Sequence, residues 1–178
     1  METKGEGEIE FMEKMILAGN SISLLAACFT AASSWSKEKK HIYLYQTVQC
    51  FLLAIANVFF ASFSGCVTLF LCSIRNLLTA YDKFTGRLCG IFLVLILVPG
   101  ILTNNRGLTG LIPVVTTVIY TVGCLYLKTE KKIKGNIIIN QILWSIYDIL
   151  ILDIVSFGVD MASALIAVIA LFRKEESL

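Results

Sequence analysis

Charge, histidine and proline are scarce in this chain of 178 residues. Only 16% of its residues are Asp, Glu, Lys or Arg, against 57% hydrophobic, and the mean hydropathy is +0.79. A soluble domain carries about 25% charged residues, so a soluble fold is excluded and a membrane protein is expected. The single histidine, His41, follows a lysine cluster and reads as interfacial rather than catalytic. Six cysteines, at 28, 50, 66, 72, 89 and 124, form no CxxC pair, so neither a disulfide framework nor a zinc site is expected and they read as small packing residues. P-loop, dinucleotide-glycine, GxSxG and HExxH motifs are missing, which leaves no argument for an enzyme, a cofactor or a metal. Two prolines, Pro99 and Pro113, are too few to act as hinges throughout the helices.

What is present is a series of apolar runs. A hydrocarbon core of about 30 Å needs roughly 20 apolar residues at about 1.5 Å each. Seven stretches approach that length: 15–34, 42–61, 64–80, 88–103, 108–127, 136–152 and 155–172. Brief breaks, SFSG at 62–65 and SFG at 156–158, divide the second run from the third and the sixth from the seventh. Unbroken, each pair would overshoot a bilayer, so a glycine turn is expected at each break.

The basic residues give the orientation. With the N-terminus outside, one side collects Lys37, Lys39, Lys40, Arg75, Lys83, Arg87, Lys128, Lys131, Lys132, Lys134, Arg173 and Lys174. The other side keeps Lys4, Lys14 and Arg106, so the N-terminus is expected outside and the C-terminus in the cytoplasm. The basic face would meet anionic lipid headgroups rather than nucleic acid. Residues 1–14 hold five glutamates against two lysines, the wrong charge for a signal peptide, and read as a solvated or interfacial lead-in.

Self-similarity organises the runs further. SKEKKHIYLYQTVQCFLLAIAN at 36–57 lies parallel to KTEKKIKGNIIINQILWSIYD at 128–148. Glu38, Lys39 and Lys40 match Glu130, Lys131 and Lys132 at an offset of 92, as do Gln49 and Gln141; Asn57 falls opposite Asp148 after a one-residue slip, and Gly65 opposite Gly158. Spans 1–3 then repeat as spans 5–7. Three spans invert the chain, so the fourth restores the orientation and the two units are parallel repeats about an axis along the membrane normal. The expected fold is all-α: a lead-in at 1–14, a first three-helix bundle at 15–81, a linker helix with its loops at 82–107, a second bundle at 108–173 and a cytoplasmic tail at 174–178.

The seven spans, the basic first loop of each repeat and the linking fourth helix resemble the SWEET and PQ-loop superfamily. The amide-bearing second helix and the segment SIRNLL at 73–78 are similar to the bacterial inner-membrane proteins of the YgjV family. The SWEET resemblance implies solute movement by alternating access between bundles. The chain departs from that pattern: it has no PQ dipeptide, Asn76 is at best a displaced counterpart of the third-helix pocket asparagine, and the seventh span has no asparagine. Sugar transport is therefore not carried over.

Polar residues inside spans cost free energy, about 2.5–3.5 kcal/mol for a central Asp, and so face protein or water. Gln141, Trp144 and Asp148 fall at i, i+3 and i+7, with Asn140 and Tyr147 flanking them. Gln46 and Asn57 are nearly in line on the second span, with Gln49 beside them; Asn20, Ser23, Thr30 and Ser34 mark the first span, and Thr116, Thr117 and Tyr120 the fifth. The hydroxyls read mainly as interhelical glue. The expected cavity is lined by Asn20, Gln49, Asn57, Gln141, Trp144 and Asp148, with Trp144 and Tyr147 as stacking surfaces. Arg75, Asn76 and Pro113 are candidates for structural or gating roles; Arg75 could also snorkel to the cytoplasm, and its depth argues against a direct pair with Asp148. Asp153 and Asp160 are expected to be solvated beside an outer turn. Ser163, Ala164, Ala167 and Ala170 suit close helix packing. The leading reading is an inner-membrane carrier or facilitator for a small polar or sugar-like solute, with lipids and a second copy of the chain as further partners. The alternative is a scaffold or lipid-sensing protein on the same fold.

Overall fold

The computed structural model describes residues 2–172, with the side chains of 2–6, 130, 170 and 172 left aside; the tail at 174–178 and the Ala170 side chain lie outside the described residues. The described residues form seven α-helices: α1 (Glu2–Trp35), α2 (Lys39–Phe59), α3 (Phe63–Ala80), α4 (Gly86–Leu102), α5 (Ile112–Tyr126), α6 (Glu130–Ile151) and α7 (Ile154–Phe172). Among the described residues four stretches are long and apolar enough to cross a membrane: Gly7–Trp35, Lys39–Phe59, Phe63–Ala80 and Thr109–Tyr126. Gly86–Leu102 and Ile154–Ile169 are apolar but shorter. α6 has 22 residues, and its lysines and amides keep it out of the apolar set. α1 starts well before residue 15, with Glu10 and Lys14 paired at 2.6 Å on its exposed first turns.

The helices pack in sequence around a ring: α1 on α2, α2 on α3, α3 on α5, α5 on α6, α6 on α7, and α7 back on α1. α4 lies against α3 and α5. Phe92 and Ile96 of α4 bury against Val114 of α5. Apolar side chains cover much of the outer surface, among them Leu17, Phe51, Val94, Ile146 and Leu165. Such a coat suits hydrocarbon rather than water.

The reversals at α2–α3 and α6–α7 are not made by the expected glycines. The chain turns at Ala61 (φ 49°) and Leu152 (φ 66°), each in the left-handed region. In the first turn the Ser62 amide donates to the Asn57 carbonyl at 2.9 Å; in the second the Asp153 amide donates to the Asp148 carbonyl at 2.9 Å. These bonds close the last carbonyls of α2 and α6, and that closure supports the left-handed residue without glycine. Gly65 and Gly158 lie inside α3 and α7 instead. Gly65 lets α3 approach α2 and α6 closely: a Cβ there would collide with Asn57 Oδ1 and stand 2.8 Å from the Tyr147 hydroxyl.

The same end of the ring is tied by the α4–α5 loop. Asn105 Nδ2 donates to the Ala61 carbonyl at 2.8 Å and Arg106 Nη2 to the Phe60 carbonyl at 2.6 Å. At the opposite end Lys39 meets Asp82 at 2.6 Å, and the Lys40 ammonium lies 5.2 Å from the Tyr81 ring centre. Pro113 is buried in the first turn of α5, where its missing N–H costs no helical bond.

Candidate functional site: a polar cavity inside the helix ring

A cavity of about 40 Å³ opens inside the ring and is lined from α1, α2, α3, α5, α6 and α7, and by no residue of α4. At about 10–15 Å³ for each water-sized group, it has room for roughly three of them. Gln49, Asn57, Gln141, Trp144 and Asp148 all line it.

Asn20 does not. It is half-buried, and its amide donates to the Leu152 carbonyl at 3.3 Å while its Oδ1 accepts from the Val155 amide at 3.2 Å. The α6–α7 turn leaves those backbone groups without helical partners, and Asn20 supplies them from α1. Tyr147 is fully buried but also stays off the cavity wall: its hydroxyl bonds to Ser62 and its ring meets Trp144 edge-on at 5.6 Å. Trp144 alone of this pair faces the cavity.

The two carboxylates expected in solvent are buried. Asp153 is 1% exposed and caps α7: Oδ1 accepts from the Ser156 amide at 3.0 Å, and Oδ2 accepts from the hydroxyls of Ser156 and Ser23, each at 2.7 Å. Asp160 is 5% exposed and lines the cavity with Asp148, Asp153 and Ser156. The sequence carried a signal for this. Asp153, Ser156, Asp160 and Ser163 fall at i, i+3, i+7 and i+10, a stripe on one face of α7 that nearness to a turn obscured.

Arg75 does not snorkel. It is 2% exposed and faces the cavity, where Nε and Nη2 donate to Asn76 Oδ1 at 3.2 and 2.9 Å and Nη1 donates to Thr121 Oγ1 at 2.8 Å. The Tyr120 ring lies 4.8 Å away, and the Tyr120 hydroxyl donates to Gln46 Oε1 at 3.0 Å. Asn76 Nδ2 turns to Cys50 Sγ at 3.6 Å. Among the described residues Arg75 has no carboxylate partner. Ten residues separate Arg75 from Gly65, which meets Tyr147, so about 15 Å of α3 lies between the guanidinium's backbone and the Asp148 level.

The polar wall is largely unspent. Among the described residues the side chains of Gln49, Asn140, Gln141, Asp148 and Asp160 make no hydrogen bond, and Asn57 Oδ1 is buried without a partner. Each buried polar group left unsatisfied costs about 1–3 kcal/mol, so this wall calls for water or a polar solute. By contrast, many hydroxyls are consumed locally: Thr47, Thr68 and Thr79 each donate to a carbonyl four residues back, and Ser73 donates to the Thr47 carbonyl.

No curated protein and no solved structure matches the chain. A family model does: Imp-YgjV, described as a bacterial inner membrane protein, matches residues 17–177. That match runs from the middle of α1 past α7 and takes in every residue of the cavity wall. With its apolar outer coat, the chain belongs to the Imp-YgjV family of bacterial inner membrane proteins.

Proposed function

We propose that this protein is a small-solute carrier of the bacterial inner membrane, with seven spans, an outside N-terminus and a cytoplasmic C-terminus. The observation that carries this reading is the ring's interior: five polar side chains without hydrogen-bond partners line one buried cavity to which six helices contribute. In this reading α1–α3 and α5–α7 are two units that rock against each other, with α4 as the link. Exchanging α1 with α5, α2 with α6 and α3 with α7 maps the ring's neighbours onto themselves, which supports the pairing. The two left-handed turns support it as well, since Asn57, Ala61 and Ser62 correspond to Asp148, Leu152 and Asp153 at a constant offset of 91. The superfamily resemblance to SWEET and PQ-loop proteins fits the same plan. The protein acts as a carrier rather than an enzyme, and its lipid-facing coat is its contact with the bilayer.

The small cavity favours a second reading, a scaffold whose polar groups serve helix assembly. A thermal-shift screen of small polar solutes on the purified protein, paired with uptake into proteoliposomes, separates the two. A carrier gives saturable uptake of a solute that also raises the melting temperature, and Asp148→Asn alters both. If no solute shifts the melting temperature and uptake matches empty liposomes, the carrier reading is abandoned.

A further inference from the structure

The geometry points to Arg75 as an anion-binding element of the cavity, and to a small monocarboxylate as its ligand. This inference rests on the carrier reading for its purpose, but its binding claim stands on the site. A guanidinium has five N–H donors. Three are used here, two on Asn76 Oδ1 and one on Thr121 Oγ1, and the Cys72 sulfur stands against the same group, which leaves a terminal N–H to spend on a ligand. The group is held in place from three directions, by Asn76, Thr121 and the Tyr120 ring. It is always charged, and burying such a charge without an opposite one is costly.

The surroundings supply no carboxylate partner among the described residues. Asp148, Asp153 and Asp160 line the cavity near the α6–α7 turn, and among the described residues none forms an ion pair with Arg75. Cys50 accepts from Asn76 Nδ2, and Cys72 donates to Thr117 Oγ1 while its sulfur also faces the guanidinium. A bound carboxylate would accept from the remaining terminal N–H and neutralise the guanidinium. Its charge should be single, because the wall offers one guanidinium and its far end carries three carboxyl groups that would repel a dianion. Its size should be that of a few heavy atoms, matching a cavity of about 40 Å³.

The chain has two tryptophans, the exposed Trp35 and the cavity-facing Trp144, so Trp35→Phe leaves a reporter inside the site. This variant, purified in nanodiscs, is titrated at fixed ionic strength with sodium acetate, sodium phosphate and acetamide while fluorescence and melting temperature are followed. Acetate should give a saturable change that acetamide does not. Arg75→Gln should weaken it at least tenfold, and Arg75→Lys less. Thr121→Val keeps the charge, removes one support of the guanidinium and should weaken acetate several-fold, so the test does not depend on Arg75→Gln folding. A response to acetamide equal to that of acetate, no saturable response to acetate, or acetate binding unchanged in every folded variant overturns the proposal; stronger binding of phosphate overturns the monocarboxylate assignment. Acetate uptake into proteoliposomes separates the two levels. Binding without uptake of any solute refutes the carrier and leaves the anion site, whereas uptake of a neutral solute without acetate binding refutes the anion site and leaves the carrier.

Discussion

Asn57 and Asp148 hold the same place in two turns of one form: the carbonyl of each accepts the amide five residues on, at 2.9 Å in both cases. Both side chains line the cavity. Backbone geometry is thus shared where side-chain chemistry differs, an amide on α2 against a carboxyl on α6. The amide donates to the Leu53 carbonyl at 3.0 Å, while the carboxyl makes no hydrogen bond among the described residues.

Making Asp148 resemble its counterpart should therefore stabilise the protein. Asp148→Asn removes an ionisable group that is 4% exposed and keeps its shape, so the melting temperature is expected to rise by about 2–4 °C, equivalent to about 1 kcal/mol. Asn57→Asp does the reverse: it buries another carboxyl and deletes the donor to Leu53, at a cost of about 2–3 kcal/mol. Thermal melts of both variants in one detergent check the signs, and a lower melting temperature for Asp148→Asn would show that the carboxyl is bonded after all.

The two glycines that the sequence pairs should respond oppositely to alanine. Gly65→Ala puts a methyl against Asn57, Tyr147 and Ser62 and is expected to cost about 1–3 kcal/mol. Gly158→Ala meets nothing within 4 Å on an exposed part of α7 and should gain about 0.5–1 kcal/mol from helix propensity. Equal effects on melting temperature would contradict the close approach at Gly65.

The helices and much of the cavity wall were legible in the sequence because they depend on periodicity. Gln49, Gln141, Trp144 and Asp148 stand out as polar or amphipathic positions at helical spacing in apolar runs, and all reach the cavity. The turns were less legible. A glycine near a break suggests the reversal, but Ala61 and Leu152 make it through hydrogen bonds that composition does not reveal. Asn20 has the same helical placement as a cavity residue, yet two unpaired backbone groups across the α1–α7 contact claim its amide. Arg75 was ambiguous for a different reason. An arginine near the end of an apolar run can reach lipid headgroups or turn inward, and only the position of α5, with Thr121 and Tyr120, decides between them.

Arg106 is one of few basic residues on its side of the proposed topology, and the structure gives it a local task. Its Nη2 donates to the Phe60 carbonyl at the end of α2, where cations also favour the helix dipole. Arg106→Ala should lower stability by about 1–2 kcal/mol, and Arg106→Lys should recover part of that. A loss confined to topology, with normal melting temperature in correctly inserted protein, would assign Arg106 to orientation instead.

The pair between Lys39 and Asp82 gives a pH test at the opposite end of the ring. Asp82 is exposed in the α3–α4 loop, and the hydrogen bond and charge of Lys39 hold its carboxyl below the usual carboxylate range. A lowered carboxylate value contributes stability above the unfolded-state value, about 3.9, and loses it as pH falls through the folded-state value. Exposure and salt screening keep the contribution small. Asp82→Asn should therefore melt only slightly below the parent protein at neutral pH and low salt, and the gap should close in about 1 M salt and also as pH falls from about 4 through the lower folded-state value. A large gap that survives high salt would mean that Asp82 has an uncharged structural role in the loop, one that the ion pair does not account for.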